Sequence, residues 1–129
     1  MQERRTTKQQ AAIKATFQSA NGPLSIDELL HAAQARVPSL GQRTVYRVVR
    51  RLEEDGELVR VFLPDQPIRY ELASVAAHHH HHFHCVECDR AFDLEGCTAA
   101  FEKLLPEGFV MQHHDLTLAG LCADCTPNS

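Results

Sequence analysis

The sequence predicts an α+β fold divided into two units. Helical patterns fill the first half and lead into two short extended segments, whereas the second half combines extended stretches with a histidine run and two Cys-x-x-Cys pairs. Charge divides at the same place: residues 1–72 carry 11 Lys and Arg against 9 Asp and Glu, and residues 73–129 carry 2 against 8. This asymmetry indicates two units with different partners.

The sequence argues against a membrane protein and predicts reduced cysteines. No apolar stretch approaches the roughly 18 residues that a membrane span needs, and the N-terminus "MQERRTTKQQ" lacks the apolar region of a secretory signal. We therefore expect a cytoplasmic protein with no membrane partner. In that compartment the five cysteines stay reduced, which favours metal ligation over disulfides.

Three helical patterns and two extended segments make up the first half. A capping box, in which a serine is followed three residues later by Glu or Gln, opens the second and third helices. The extended segments "ELVRVFL" and "IRYEL" are joined by a proline-containing turn. This order is that of a winged helix-turn-helix domain. The predicted helices are residues 8–22, 25–35 (capped by Ser25 with Glu28) and 39–56 (capped by Ser39 with Gln42).

The third helix carries a basic face. Its valines and leucine between residues 45 and 52 have the spacing of a buried stripe, which turns arginines at i, i+4 and i+7 onto another face. Guanidinium forks suit phosphate oxygens and guanine edges. We interpret this face as a contact surface for double-stranded DNA, against the plainer alternative of a solvated basic face. The predicted contacts are Arg43, Thr44, Tyr46, Arg47, Arg50 and Arg51.

Two Cys-x-x-Cys pairs lie 33 residues apart in the second half, Cys85 with Cys88 and Cys122 with Cys125. Four thiolates from two such turns form a closed tetrahedral zinc site, and a small acidic unit with little core benefits from that cross-link. The alternative is four unligated cysteines. The alternating segment "DLTLAGLC", which leads into the second pair, predicts a strand.

The histidine run "AAHHHHHFHCVEC", residues 76–88, lies mid-chain, whereas a purification tag would sit at a terminus. If the run is extended, successive side chains alternate between two faces, and one strand can serve two metal sites. The alternative is a solvated strand. Cys97 opens the helical pattern "GCTAAFEKLL", and a helix N-terminus favours the thiolate form. The two faces are His79 and His81 on one side, and His78, His80, His82 and His84 on the other.

These motifs together resemble the ferric uptake regulator (Fur) family of metal-dependent repressors over almost the whole chain. The resemblance rests on "TVYRVVRRLEEDG", "YEL", "HHHHHFHCVEC" and "HHDLTLAGLCADC". It implies a winged-helix domain (1–72), a hinge (73–78) and a small α/β metal-binding dimerisation domain (79–129). It also implies a homodimer that binds an inverted-repeat DNA operator when metal is bound, and neither catalysis nor a small organic substrate.

The resemblance also implies three metal sites. Structural zinc falls on the four paired cysteines. A hinge-side sensing site falls on Glu71, His80 and His82. Iron and peroxide sensors commonly have a fourth ligand, which is missing or replaced in this chain. Asp65 and His78 are the candidates for the replacement. A second site combines histidines with Cys97, which stands where the family has an acidic residue. The implied ligands are Cys85, Cys88, Cys122 and Cys125; Glu71, His80 and His82; and His79, His81, Cys97 and His114.

Cys97 directs the expected metal preference toward zinc. A thiolate suits zinc better than ferrous iron or manganese, and beside iron it is liable to oxidation. We therefore expect a regulator similar to the zinc uptake regulators, with an iron-responsive or peroxide-sensing member of the family as the alternative. Cys97 could instead be a buried residue that packs with Ala100 and Leu104. From other classes, a zinc hydrolase lacks its sequence signature, and a zinc-buffering protein would not need the basic third helix.

Overall fold

The computed structural model describes residues 2–76, 80–96 and 99–127, with side chains for 8–76, 81–96 and 101–127. The chain divides into two compact units, Met1–His78 and His79–Ser129. The elements confirm the predicted α+β fold class. None of the described helices combines the length and apolarity that a membrane span requires.

Three helices begin the N-terminal unit: α1 (Gln2–Ser19), α2 (Ile26–Ala33) and α3 (Gln42–Glu54). The predicted capping box of α2 is confirmed. The amide of Glu28 donates to Oγ of Ser25 at 3.3 Å, and the Glu28 carboxylate accepts from the Ser25 amide at 2.9 Å. Two of the backbone groups that a helix start leaves without helical partners are satisfied in this way.

The predicted cap of α3 is wrong. The helix begins after Gly41, which gives no side-chain hydrogen bond, rather than after Ser39. Ser39 lies in a turn closed by a bond from the Leu40 amide to the Val37 carbonyl at 3.0 Å. That turn buries the Leu40 side chain, which is only 2% exposed. Burial of Leu40 outweighs the local capping preference, since an apolar side chain of this size gains about 1.5–3 kcal/mol when buried.

A three-stranded antiparallel sheet completes this unit, in the order β1-β3-β2. The predicted extended segments are confirmed as β2 (Leu58–Val61) and β3 (Arg69–Leu72). The two-residue strand β1 (Leu24–Ser25) was not predicted because it is too short to show periodicity. The turn between β2 and β3 contains Asp65 at φ 58°, in the left-handed region that Asp tolerates in turns.

The core of the N-terminal unit lies between the three helices and the sheet. Valines and Leu52 of α3 form its centre, as their spacing predicts, and each is at most 2% exposed. This packing fixes the rotation of α3 and therefore which of its residues face away from the core. The buried cluster comprises Ile13, Phe17, Ile26, Leu29, Ala33, Leu40, Val45, Val48, Val49, Leu52, Leu58 and Tyr70.

The C-terminal unit contains a second three-stranded sheet, in the order β5-β4-β6. The predicted histidine strand is confirmed as β4 (His80–Cys85), and the alternating segment contains β6 (Thr117–Gly120), which runs parallel to β4. Strand β5 (Ala91–Glu95), antiparallel to β4, was not predicted. Its hairpin with β4 aligns His82 with Asp93.

The two remaining helical segments are short. Ala73–Ala76 form α4, directly after β3; residues 77 and 78 lie outside the described part of the chain, so the predicted hinge stays a prediction. Ala99–Leu104 form a short 3₁₀ helix within the predicted helical segment, residues 96–105. Pro106 explains where this helix stops, because proline lacks an N–H and excludes the preceding residue from helical geometry. Cys97, the predicted first residue of that helix, lies outside the described residues.

Candidate metal centres and DNA-binding face

The four paired cysteines meet at one end of the C-terminal sheet. Cys85 ends β4, and Cys122 follows β6 by two residues. Because β4 and β6 are parallel neighbours, with Cys85 opposite Gly120, their carboxyl ends bring both Cys-x-x-Cys turns to the same edge. The Cys122 amide donates to Sγ of Cys85 at 3.4 Å and so links the two turns.

The dimensions of this cluster fit zinc. Its four Sγ atoms all lie within 4.8 Å of one another, and those of Cys88 and Cys122 are 3.9 Å apart. A tetrahedron with Zn–S bonds of about 2.3 Å requires sulfurs about 3.8 Å apart. Cys85 and Cys122 are buried, and Cys88 and Cys125 are partly buried. The donor set and the spacing are therefore those of a closed structural zinc site.

The thiols of the cluster differ in acidity. Hydrogen bonds lower the pKa of Cys85 to about 6, chiefly the one from the Cys88 amide. The hydrogen bond from the Arg90 side chain is the main cause that lowers the pKa of Cys88. Burial, followed by hydrogen bonds with the neighbouring cysteines, raises the pKa of Cys125 to about 12. The Cys125 thiol thus resists ionisation, and a bound cation would supply the positive charge that favours its thiolate.

The histidine strand presents different neighbours on its two faces. On one face, the ring of His81 lies 5.1 Å from that of His114, between centroids, and Phe101 packs 4.9 Å from His114. Two ligands of the predicted second site are therefore adjacent. The other two, His79 and Cys97, lie outside the described residues, so this ligand set stays a prediction.

On the opposite face of β4, His82 lies beside Asp93. Nε2 of His82 is 3.4 Å from Oδ1 of Asp93 on the neighbouring strand. We did not predict Asp93 as a site residue. The alternation in "FDLE" directly after the first cysteine turn could have indicated it, because a hairpin with the histidine strand places its polar residues opposite histidines.

The predicted hinge-side ligands belong to different units. Glu71 lies on β3 of the N-terminal unit, opposite Val59, and His82 lies on β4 of the C-terminal unit. The side chain of His80 lies outside the described residues, as does His78. Asp65, the other candidate for the fourth ligand, occupies the exposed turn after β2. Joint ligation by Glu71, His80 and His82 therefore stays a prediction.

The basic face of α3 points away from the core of its unit. Tyr46 is 51% exposed, the four arginines of this face are exposed, and Thr44 is partly buried. In the part of the chain that the structure describes, none of these arginines is held in an ion pair. Their guanidinium groups are available to an external anion. The arginines are Arg43, Arg47, Arg50 and Arg51.

A winged helix with an exposed arginine face, followed by a unit with a four-thiol cluster and a histidine strand, defines a class: transcription regulators that respond to metals. The chain matches the family model described as "Ferric uptake regulator family" over residues 2–119. It belongs to this family. Members of the family are transcription regulators and not enzymes, as the sequence predicts for this chain.

The names of individual relatives refer to different metals. The chain is 30% identical over 125 residues to a ferric uptake regulation protein of a Synechocystis species, covering 93% of this chain and 76% of that protein. It is 27% identical to FurB, a zinc uptake regulator from M. tuberculosis, with a TM-score of 0.50 over 95% of each chain. A zinc-bound manganese uptake regulator shares the fold, with a TM-score of 0.75 at 24% identity over 88% and 87% of the chains. The chain is thus a metal-responsive transcription regulator, and the comparisons leave its metal open.

Proposed function

We propose that this chain is a zinc-responsive transcriptional repressor that binds an inverted-repeat DNA operator as a homodimer. The exposed arginine and tyrosine face of α3, in the recognition-helix position of a winged helix, carries this proposal. Arg43, Arg47, Arg50 and Arg51 supply donors for phosphates and guanine edges, and Tyr46 adds a hydroxyl.

Residues of three sites would hold metal. The four-cysteine cluster would hold structural zinc, which cross-links the two cysteine turns at one end of the C-terminal sheet, in a unit where few apolar side chains of the described residues are buried. The second site combines His79, His81, Cys97 and His114, and its thiolate is the argument for zinc as the sensed metal. At the hinge side, Glu71, His80 and His82 bind regulatory metal, and the carboxylate of Asp93 beside His82 supports it as a further ligand.

Regulation by metal follows from the distribution of the hinge-side ligands over two units. A ligand set shared between Glu71 and the histidine strand can be completed only when the units adopt one relative arrangement. Metal binding therefore selects that arrangement from the conformations that the hinge at residues 73–78 allows. If DNA requires the same arrangement, metal and operator strengthen each other's binding by the same factor.

The edge of the C-terminal sheet supports the homodimer. β6 is the last strand of the described sheet and pairs with β4 on one side only, so its other backbone edge is available for pairing. Leu118 on this strand and Leu121 just after it are 47% and 44% exposed. A second copy placed along β6 would satisfy the edge and cover these leucines, and a dimer matches an inverted-repeat operator by symmetry.

An iron- or manganese-responsive regulator is the second candidate. The proximity of the His82 imidazole and the Asp93 carboxylate favours it, since a mixed nitrogen and oxygen ligand set suits these metals as well as zinc. The two candidates differ in which site controls DNA binding. Control by the thiolate-containing site favours zinc, and control by the nitrogen and oxygen site admits iron or manganese.

Selection from a pool of random DNA duplexes tests the function as a whole. We expect the zinc-loaded full-length chain to enrich an inverted repeat, and chelation of the exchangeable metal to abolish the enrichment. Titration of the enriched duplex with zinc, ferrous iron and manganese at buffered free concentrations then ranks the metals. Enrichment of an inverted repeat regardless of metal would contradict regulation, and activation by iron at a free concentration where zinc is inactive would select the second candidate.

Replacement of Arg47 by alanine should weaken binding to the enriched duplex by about 1–3 kcal/mol for a lost base contact. Tyr46→Ala should act in the same direction, and both variants should keep their zinc content and dimerisation. Arg36→Ala is the matched control, since this exposed arginine donates to Ser19 at 3.1 Å and lies outside α3. Fluorescence anisotropy with the labelled duplex measures these affinities. Equal affinities for Arg47→Ala, Tyr46→Ala and the control would contradict the proposed DNA-binding face.

Substitution of Cys97 tests the metal preference. With zinc kept in the four-cysteine centre, cobalt in the second site should show a thiolate charge-transfer band that Cys97→Ala abolishes. Cys97→Asp should lower the selectivity for zinc over manganese, because carboxylate is the harder ligand. The alternative role, packing with Ala100 and Leu104, gives no band and leaves the cobalt stoichiometry of Cys97→Ala unchanged. Absorption spectroscopy with metal analysis distinguishes the two outcomes.

A further inference from the structure

Arg90 contacts both cysteine turns at once. Its Nε donates to Sγ of Cys88 at 3.2 Å, and its Nη2 donates to Sγ of Cys122 at 3.4 Å. These sulfurs belong to different Cys-x-x-Cys pairs, so one guanidinium bridges the two halves of the cluster. By contrast, the Cys85 sulfur accepts a backbone bond, from the amide of Cys122.

Other groups fix the orientation of the Arg90 side chain. Nη2 also donates to Oδ2 of Asp124 at 3.0 Å, and the guanidinium carbon lies 5.3 Å from the centroid of the Phe92 ring. A carboxylate and an aromatic ring therefore hold the planar group against the sulfurs. The side chain remains 47% exposed, so the guanidinium that contacts both sulfurs also contacts solvent.

The contact between Arg90 and the sulfurs matters because a zinc-filled cluster is negatively charged. Four thiolates around Zn²⁺ leave a net charge of about −2, and the ligands keep nucleophilic lone pairs. An N–H donor withdraws electron density from the sulfur that accepts its bond, and a cation offsets part of the excess negative charge. Both effects favour the intact zinc thiolate over a thiol that has left the metal.

We propose that Arg90 is a positioning residue of the four-cysteine centre, which slows the loss of zinc by covering and partly neutralising the sulfurs of Cys88 and Cys122. The role rests on the proposed zinc centre. It predicts an asymmetry that a general contribution to folding would not produce: without Arg90, the sulfurs of Cys88 and Cys122 become more reactive, and those of Cys85 and Cys125 change less.

Zinc transfer from the full-length, zinc-loaded chain to the chelator 4-(2-pyridylazo)resorcinol tests the proposal. We expect Arg90→Met to accelerate zinc transfer about 10-fold. This factor is at the lower end of the effects that follow the loss of a group that supports metal ligands. Arg90→Lys keeps the charge without the fork and should fall between Arg90→Met and the unsubstituted chain. Arg36→Met, which removes an exposed arginine of the N-terminal unit, should match the unsubstituted chain.

Pulse alkylation with N-ethylmaleimide, read by peptide mass spectrometry, supplies the second readout. In Arg90→Met, Cys88 and Cys122 should react before Cys85 and Cys125 and faster than in the unsubstituted chain. Unchanged transfer rates, or an equal acceleration of all four cysteines, would overturn the role of Arg90. If Arg90→Met does not fold, Arg90→Lys decides: parental transfer and alkylation rates overturn the role. If the unsubstituted chain binds no zinc at these cysteines, the proposed zinc centre is wrong, and the role of Arg90 is wrong with it.

Discussion

Cys122→Ser should lose tightly bound zinc, from about one ion per chain to almost none, and should fail to form a stable dimer. Cys122 follows β6, and its amide and sulfur link the two cysteine turns. A serine hydroxyl does not replace a thiolate on zinc, so the tetrahedral site loses a ligand and the link between the ends of β4 and β6. In the described part of the C-terminal unit, the buried apolar residues are Ala91, Cys85 and Cys122. We therefore expect this unit to depend on metal for its stability.

Metal analysis and sedimentation equilibrium after extensive chelation measure this effect, and Cys85→Ser should repeat it from the other turn. Thr126→Val is the matched control, because it removes the hydrogen bond from Thr126 Oγ1 to the Cys122 carbonyl, at 2.8 Å, without removing a thiolate. The control should keep its zinc. A Cys122→Ser chain that remains a zinc-replete dimer would contradict a structural role for the cluster.

The helices and the core of the N-terminal unit were predictable because their signals are local. The capping box at Ser25 and the valine stripe of α3 each depend on residues within one or two turns of helix. The misplaced start of α3 shows the limit of such signals. Ser39 and Gln42 have the right spacing for a cap, but the turn that buries Leu40 depends on the space between helices, which the local sequence does not contain.

The sites were predictable where spacing defines chemistry. Two Cys-x-x-Cys pairs indicated one cluster before any strand pairing was known, since few other arrangements use four reduced cysteines at this spacing. Asp93 and Arg90 were missed because their roles arise from contacts made after folding. Asp93 depends on the register of the β4–β5 hairpin, and Arg90 depends on the approach of the two cysteine turns.

Arg69 is the largest fully buried side chain of the described residues, and it forms an ion pair with Glu28. Its side chain is 2% exposed, and Nη1 lies 2.5 Å from Oε1 of Glu28. Nη2 donates to Oε1 of Gln66 at 3.3 Å, and Nη1 to the Pro23 carbonyl at 3.4 Å. The arginine thus ties β3 and the turn before it to the start of α2. Because Glu28 also caps α2, one carboxylate supports both the helix and the hairpin.

Glu28→Ala should lower the free energy of unfolding of the N-terminal unit by about 3 kcal/mol. Loss of one partner of a buried ion pair costs about 3–5 kcal/mol, and the lower end applies because the Glu28 side chain is 28% exposed and water reaches it. Glu28→Gln keeps an acceptor for the cap but removes the negative charge that Glu28 places against Arg69, and should cost about 2 kcal/mol. Urea denaturation followed by the helical circular dichroism signal measures both changes, because α1, α2 and α3 lie in this unit.

A matched exposed pair and a double substitution distinguish the buried charge from a general effect of losing a glutamate. Glu53→Gln removes the partner of Arg60, whose side chain is 48% exposed, and should leave the denaturation midpoint almost unchanged. Glu28→Gln combined with Arg69→Met should be less destabilising than the sum of the two single changes, since the ion pair that joins them can be lost only once. Additive effects, or a Glu28→Gln midpoint equal to that of Glu53→Gln, would show that Arg69 does not depend on Glu28. The attachment of the hairpin to α2 would then depend on contacts other than the charge of Glu28.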